Sequence, residues 1–139
     1  MQKIVIDTNV LVSALIQKSY PYLIVRELLI ENKIQLCVSD ELLTEYYDVL
    51  ARPKFARFQD FFVRAESLLV DIEMKATKFS PLIKLDLISD VDDNMILELA
   101  DVCSADFIIT GNTTDFTFAT YEQTKIVTPK QYWQDHKPA

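Results

Sequence analysis

The segment Lys3-Ile4-Val5-Ile6-Asp7 constrains this chain more than any other. Three consecutive β-branched residues leave no polar face, so the run suits a short strand buried on both sides, as in a parallel sheet covered by helices. Its last residue is a carboxylate. A charge delivered to the C-terminal end of a buried strand makes Asp7 the first residue whose chemistry needs an explanation.

The pattern then repeats with helical spacing between strands. Val10, Leu11, Ala14 and Leu15 suit one face of a helix starting near Asn9, and Pro21 suits the first turn of another carrying Val25, Leu28 and Leu29. Residues 34–38, Ile-Gln-Leu-Cys-Val, read as a second strand, followed by Ser39 as cap of a helix to about Leu50. On that helix Leu42, Tyr46 and Val49 face inward, while Glu41, Glu45 and Asp48 form an adjacent acidic stripe. Pro53 ends it. A further helix is expected over about 59–77, with Phe62, Ala65, Leu69, Ile72 and Ala76 inward. Ser80-Pro81 breaks the chain before a short extended piece near Leu85 to Ile88. Asp92 to Cys103 reads as helix with Ile96, Leu99 and Ala100 inward. Residues 107–110 and 126–128 are strands, and Pro129 starts a short final helix.

Strands separated by helices predict one domain over residues 1–139, a three-layer α/β/α sandwich with a mainly parallel central sheet. Ligands bind such sheets beyond the C-terminal strand ends, which brings Asp7 and the residues after Thr110 to one edge.

Composition narrows the chemistry. The 21 acidic residues exceed the 14 basic ones for a formal net charge of −7, which disfavours non-specific polyanion binding over the whole surface but not a local basic patch. Cys37 and Cys103 lie in apolar stretches and read as buried free thiols of a reducing compartment. No stretch is long and apolar enough to span a membrane, and Asp7 falls where a secretory leader would be apolar, so a cytoplasmic location is expected. The lone histidine, His136, sits among polar residues near the C-terminus and reads as surface rather than catalytic. That leaves neither a Ser-His-Asp arrangement nor a soft-ligand zinc site.

What remains is oxygen chemistry. Asp7 at a strand end, Glu45 on a helix flank and Asp93 at a helix start can converge on Mg2+ or Mn2+, which suit carboxylates and waters and can polarise phosphate. Each acid also has an ordinary reading: Asp7 as a turn or cap residue, Glu45 as a solvated side chain, and Asp93 as a helix-start charge favoured by the dipole.

The order Ile4-Val5-Ile6-Asp7-Thr8-Asn9-Val10-Leu11-Val12-Ser13-Ala14, Ser39-Asp40-Glu41-Leu42-Leu43-Thr44-Glu45, Asp92-Asp93-Asn94-Met95-Ile96-Leu97-Glu98-Leu99-Ala100 and Ala105-Asp106-Phe107-Ile108-Ile109-Thr110-Gly111-Asn112 resembles the PIN-domain family, specifically the small bacterial branch described as toxins of toxin–antitoxin systems. The resemblance implies a metal-dependent ribonuclease holding one or two Mg2+ or Mn2+ ions. By motif match Asp7 is the first ligand, Glu45 the helix carboxylate and Asp93 the acid of the later helix, preferred to Asp92 because it stands in step with Ile96 and Ala100. Thr8, Asn9 and Thr110 resemble the polar residues that support these ligands. An antitoxin protein and a homodimer are implied partners, for which the Tyr20–Ile30 segment and the Tyr46-Tyr47 pair offer apolar surface.

The chain departs from the family at Asn112, where an Asp often follows the Thr-Gly pair. An amide can donate an oxygen to a metal but brings no charge, and Asp115 is placed to compensate or to serve a turn. For RNA, Arg52, Lys54, Arg57 and Arg64 interleave with Phe55, Phe58, Phe61 and Phe62 as a possible substrate rim, unless the phenylalanines pack into the core and the charges stay solvated. The alternatives to an active ribonuclease are a catalytically weak or inactive RNA- or protein-binding domain of the same fold and, less well supported, another acidic-site phosphoryl-transfer enzyme or a receiver-like signalling domain, for which no lysine follows a late strand in an evident catalytic loop.

Overall fold

A computed structural model describes residues 1–87, 91–111 and 119–139, with backbone alone at positions 91 and 92. Strand β1 (Lys3–Ile6) leads into helix α1 (Thr8–Ile16) and α2 (Tyr20–Leu23), which continues in wider, π-type turns over Ile24–Leu29. Strand β2 (Gln35–Val38) is followed by α3 (Asp40–Leu50), a 3-10 turn (Pro53–Arg57), α4 (Phe61–Lys75) and the two-residue strand β3 (Thr77–Lys78). Helix α5 (Val91–Cys103), strands β4 (Phe107–Ile109), β5 (Thr120–Tyr121) and β6 (Thr124–Val127), then α6 (Pro129–Gln131) and a last π-type turn (Tyr132–His136) complete the order.

The sheet runs β3-β2-β1-β4-β6-β5, parallel throughout except for the antiparallel β5–β6 pair at one edge. The expected α/β sandwich with a mainly parallel sheet is the fold observed. Ile4, Val5 and Ile6 are completely buried, as a strand covered on both faces requires. From β1 the chain steps outward to β2 and β3, then crosses back to place β4 on the other side of β1. With right-handed crossovers, that reversal sends α5 to the opposite face from the helices that precede it. It also opens a crevice between the C-terminal ends of β1 and β4, the place where such sheets bind ligands.

Local signals account for most boundaries. Ser39 Oγ accepts from Leu42 N at 3.1 Å, capping α3 as expected. Thr128 and Gln131 form a reciprocal capping box beside Pro129 at the start of α6. Helix α4 differs from expectation in two ways. It begins at Phe61 and ends at Lys75, so Thr77 pairs with Cys37 as sheet edge rather than continuing the helix. Its inner face is Phe61, Ala65, Leu68, Leu69 and Ile72, while Phe62 points outward. Residues 81–87 form no strand; Ile88 lies outside the described residues. Instead the segment is strapped to α5, with Leu85 N donating to Glu98 Oε2 at 2.8 Å and Leu87 N to Asn94 Oδ1 at 3.0 Å. Backbone donors without a sheet partner are satisfied by two side chains one helical turn apart.

Candidate active site

Asp7 ends β1 at the point where the strand order reverses. Its backbone N–H donates to Ile109 O at 3.0 Å, extending the β1–β4 pairing by one residue, and Thr110 N likewise donates to Val127 O at 3.0 Å. This places Thr110 beside Asp7, and the Thr110 hydroxyl donates to Asp7 Oδ2 at 2.8 Å. Asp7 precedes α1, yet its side chain makes no capping bond to that helix. Asp7 is only 7% exposed. Burying it costs free energy, so its reading as a simple turn or cap residue does not account for it.

The next residue completes the link to α3. The Thr8 hydroxyl donates to Glu45 Oε2, tying the first turn of α1 to the middle of α3. Glu45 is half-buried rather than solvated. One residue further along α3, the completely buried Tyr46 hydroxyl donates to Ile6 O at 2.5 Å, fixing the peptide immediately before Asp7. Burial pushes the Tyr46 phenol well above its ordinary range, and the negative charges of Asp7 and Glu45 push it the same way. Tyr46 therefore stays a proton donor at any physiological pH, and the two carboxylates share one electrostatic environment.

Asp93 lies in the first turn of α5, 7% exposed. Helix α5 packs against β1, β2 and β4 and runs back toward the start of β4, so its N-terminus lies at the same sheet edge as Asp7. Asn9 is exposed on the first turn of α1. Asn112 and Asp115 lie outside the described residues. The structure thus brings Asp7, Thr8, Glu45 and Thr110 into one bonded arrangement and puts Asp93 at its edge by topology.

A groove of about 570 Å³ runs beside this arrangement, lined by Glu45, Asp48 and Arg52 of the α3 side and Met95 of α5, with Asp40 and Glu41 at its other end. Of the expected substrate-binding residues, Arg52 lines this groove. Lys54 and Arg57 are exposed on the 3-10 turn, outside that lining, and lie over the rings of Phe55 and Phe58 at 5.3 and 4.8 Å from the centroids. Phe55 and Phe61 stack at 4.7 Å inside the core and offer no face to a base. Aromatic interleaving here reflects packing, with the cations left in solvent. Arg64 faces a different groove, between α1, α2 and α4.

Several side chains outside the expected set matter locally. Asn94 and Glu98 are buried on α5 and hold residues 85–87 next to the acidic groove. Their sequence signal is a polar pair at i, i+4 on a helix whose other buried positions, Asp93 apart, are apolar. His136 is half-buried rather than frayed: its ring packs on Phe107 with centroids 4.9 Å apart, and its carbonyl accepts from Gln2 Nε2 at 2.8 Å. That is the N-terminal end of the sheet, opposite Asp7. Cys37 and Cys103 are buried free thiols. Within Tyr20–Ile30 the side chains of Ile24, Val25, Leu28 and Leu29 are core, while Tyr20, Tyr22, Leu23 and Ile30 are half-buried; Tyr46 is core and Tyr47 is exposed. Among the described residues no helix is long and apolar enough to cross a membrane.

The PIN domain family matches residues 3–114 of the chain. The chain belongs to the PIN-domain family. No curated protein matches it. The matched span contains Asp7, Glu45, Asp93, Thr110 and Asn112, and Asp115 falls one residue beyond it. PIN domains are in general a metal-dependent nuclease fold using divalent ions, and the donor set of this one is consistent in kind: carboxylates and hydroxyls, hard oxygen ligands. Among the described residues no three His, Cys, Asp or Glu side chains stand close enough to form a cage by themselves. Magnesium does not require one, since it is held by one or two carboxylates together with waters and substrate phosphate.

Proposed function

We propose that this PIN domain is a Mg2+- or Mn2+-dependent endoribonuclease hydrolysing RNA phosphodiester bonds, acting in the cytoplasm as the toxin of a toxin–antitoxin pair. The observation that carries the nuclease reading is the threonine-braced pair Asp7 and Glu45: two carboxylates from different elements, one buried, converging where the sheet order reverses. Asp7 and Asp93 would anchor the ion, and Glu45 would orient its waters. An ion held there would supply positive charge for the phosphate and acidify a water.

The chain's own residues do the positioning. Thr110 fixes one oxygen of Asp7, and Tyr46 pins the backbone at Ile6 immediately before it. Thr8 does the same for Glu45. Held carboxylates need no reorganisation when substrate arrives, which is the electrostatic advantage of a folded site over water. Arg52, in the groove with Glu45, supplies a cation for a flanking phosphate, with Lys54 and Arg57 adding charge outside it.

Cleavage of single-stranded RNA with manganese tests this directly. Native protein should cleave, and Asp7→Asn should lose about 10²–10³-fold in rate, the range for removing one electrostatic stabiliser from an active site; equal cleavage by both would sink the assignment. The toxin reading adds that induced expression arrests bacterial growth and that Asp7→Asn relieves the arrest. The amide at Asn112 and the acids along the groove favour a second reading, a weak or inactive domain that binds RNA or protein. Manganese binding without cleavage would select it.

A further inference from the structure

Cys37 and Cys103 take no part in the acidic site, yet the fold encloses them side by side. Cys37 lies in β2 and is completely buried; Cys103 ends α5 and is buried as well. Sheet register explains how they meet. Lys3 pairs with Gln35 across β1 and β2, so their side chains share a face, and Cys37, two residues beyond Gln35, points to that face too. Helix α5 packs across β1, β2 and β4, and its last residue meets Cys37 there: the Cys37 S–H donates to the Cys103 sulfur. The other sulfur contacts are weak, with Gln35 O 4.0 Å from Cys37 Sγ and Ala100 O 3.8 Å from Cys103 Sγ. A single buried cysteine packs as a small hydrophobe, but two sulfurs in contact from separate elements are a reactive pair.

The surroundings give the two thiols different roles. The Cys37 hydrogen bond holds the Cys103 thiol below its ordinary range, helped by the Lys3 ammonium and by the backbone N–H groups of Cys103 and Ala105. Ser104, in the left-handed region at φ 53°, turns the chain so that both N–H groups reach one sulfur. Cys37 is pushed up by that same hydrogen bond and by burial, and keeps its proton. Cys103 is thus the nucleophile and Cys37 the thiol that resolves it. Burial selects the reagent. The pair lies under the last turn of α5, next to exposed Ser104, and helix ends open more readily than sheet centres. A water-sized oxidant reaches the sulfurs through such an opening, whereas a tripeptide disulfide does not.

We infer that Cys37 and Cys103 are a peroxide-sensitive modification site, at which an intramolecular disulfide ties the last turn of α5 to β2. The Cys103 thiolate attacks hydrogen peroxide, the O–O bond breaks, and hydroxide leaves to become water, giving a sulfenic acid. The Cys37 sulfur then attacks the sulfenic sulfur. The S–S bond forms, the S–O bond breaks, and the departing hydroxide takes the Cys37 proton as a second water. Two thiols lose two electrons in all, and one peroxide gains them. The link joins residues far apart in the chain, so it restricts the unfolded ensemble and stabilises the fold. It also fastens to the sheet the helix that carries Asp93, Asn94 and Glu98. Neither the acids nor RNA enters this chemistry, so it stands or falls apart from the nuclease reading.

Treatment of the reduced, folded chain with hydrogen peroxide, followed by thiol titration in denaturant and peptide mass mapping, tests the proposal. Met1 and Met74, 79% and 77% exposed, gauge the dose through their sulfoxides. Before those methionines are fully oxidised both thiols should be lost, the peptides bearing Cys37 and Cys103 should be recovered linked within one chain, and dithiothreitol should restore them. The linked protein should melt about 5–10 °C higher than the reduced one. Oxidised glutathione should leave both thiols free. Cys37→Ala should stop at a Cys103 sulfenic acid that dimedone traps, whereas Cys103→Ala should leave Cys37 unmodified. Thiols that survive full methionine oxidation, a sulfinic acid in place of the link, a link between chains, a glutathione adduct or a lower melting temperature would each overturn the assignment. Should either alanine variant fail to fold, the peptide map and melting shift of the native chain decide the matter alone.

Discussion

Two aspartates flank the same central pair of strands and lead different lives. Asp106 lies just before β4 at the N-terminal end of the sheet, exposed, with Oδ2 accepting from Lys3 N at 2.8 Å. Its backbone also joins the sheet edge, donating to Lys3 O at 2.8 Å. Asp7 lies at the other end of the same strand pair, buried, taking a hydroxyl from Thr110 while a second hydroxyl, from its neighbour Thr8, holds Glu45. One carboxylate ties off a strand and keeps its charge in water. The other is held out of water among further acids, an arrangement with a desolvation and repulsion cost that fold stability alone does not require. A strand-end acid marks a site when its charge is buried beside other acids and a side-chain hydroxyl holds one of its oxygens.

Sharpening that contrast begins with Thr110→Val, which keeps side-chain shape and removes the hydroxyl on Asp7. Metal-dependent RNA cleavage per folded molecule should fall about 10–100-fold, the usual effect of losing a group that orients a ligand, and unfolding free energy by about 1–3 kcal/mol because the buried carboxylate loses a donor. An unchanged rate would show that Asp7 needs no such support. Next comes Tyr46→Phe. It strips the donor from the buried Ile6 carbonyl and should lower unfolding free energy by about 1–3 kcal/mol in urea. The phenol's raised pKa adds a sign: its contribution to stability is intact below the unfolded value near 10 and is lost as pH climbs above it toward the folded value. Native protein should therefore lose stability in alkali faster than the Phe variant.

Smaller effects are expected away from the site. Ser39→Ala removes the α3 cap and should cost about 1 kcal/mol, leaving the cleavage rate per folded molecule unchanged. Asp106→Asn should cost less than about 1 kcal/mol, since the amide oxygen can still accept from Lys3 N and only an exposed charge is lost. Its cleavage rate should match native. A large loss of cleavage in Asp106→Asn would erase the distinction between the two ends of the sheet.

Most of this fold could be read from the sequence because the central strands are short runs of branched apolar residues buried on both faces, as Ile4, Val5 and Ile6 are. The edges could not. Strand β3, Thr77–Lys78, and strand β5, Thr120–Tyr121, contain two residues each, too few for alternation to register, and are defined by the neighbour they pair with. On α4 the adjacent Phe61 and Phe62 are equally apolar, so composition could not tell which turns inward; stacking of Phe61 on Phe55 decides it. At the site, Asp7 and Thr110 were legible because parallel topology fixes where strand ends lie. The brace from Thr8 to Glu45, the Tyr46 contact with Ile6, and the roles of Asn94 and Glu98 were not, because each depends on side chains meeting across tertiary space.

The central claim is that the acids at the C-terminal strand ends hold a divalent ion and that the acid at the other end does not. Mn2+ binding followed by electron paramagnetic resonance on native protein, Asp7→Asn and Asp106→Asn tests it without any need for turnover. Native protein and Asp106→Asn should bind manganese alike, whereas Asp7→Asn should bind at least tenfold more weakly. Equal binding by all three, or loss in Asp106→Asn alone, would contradict the account.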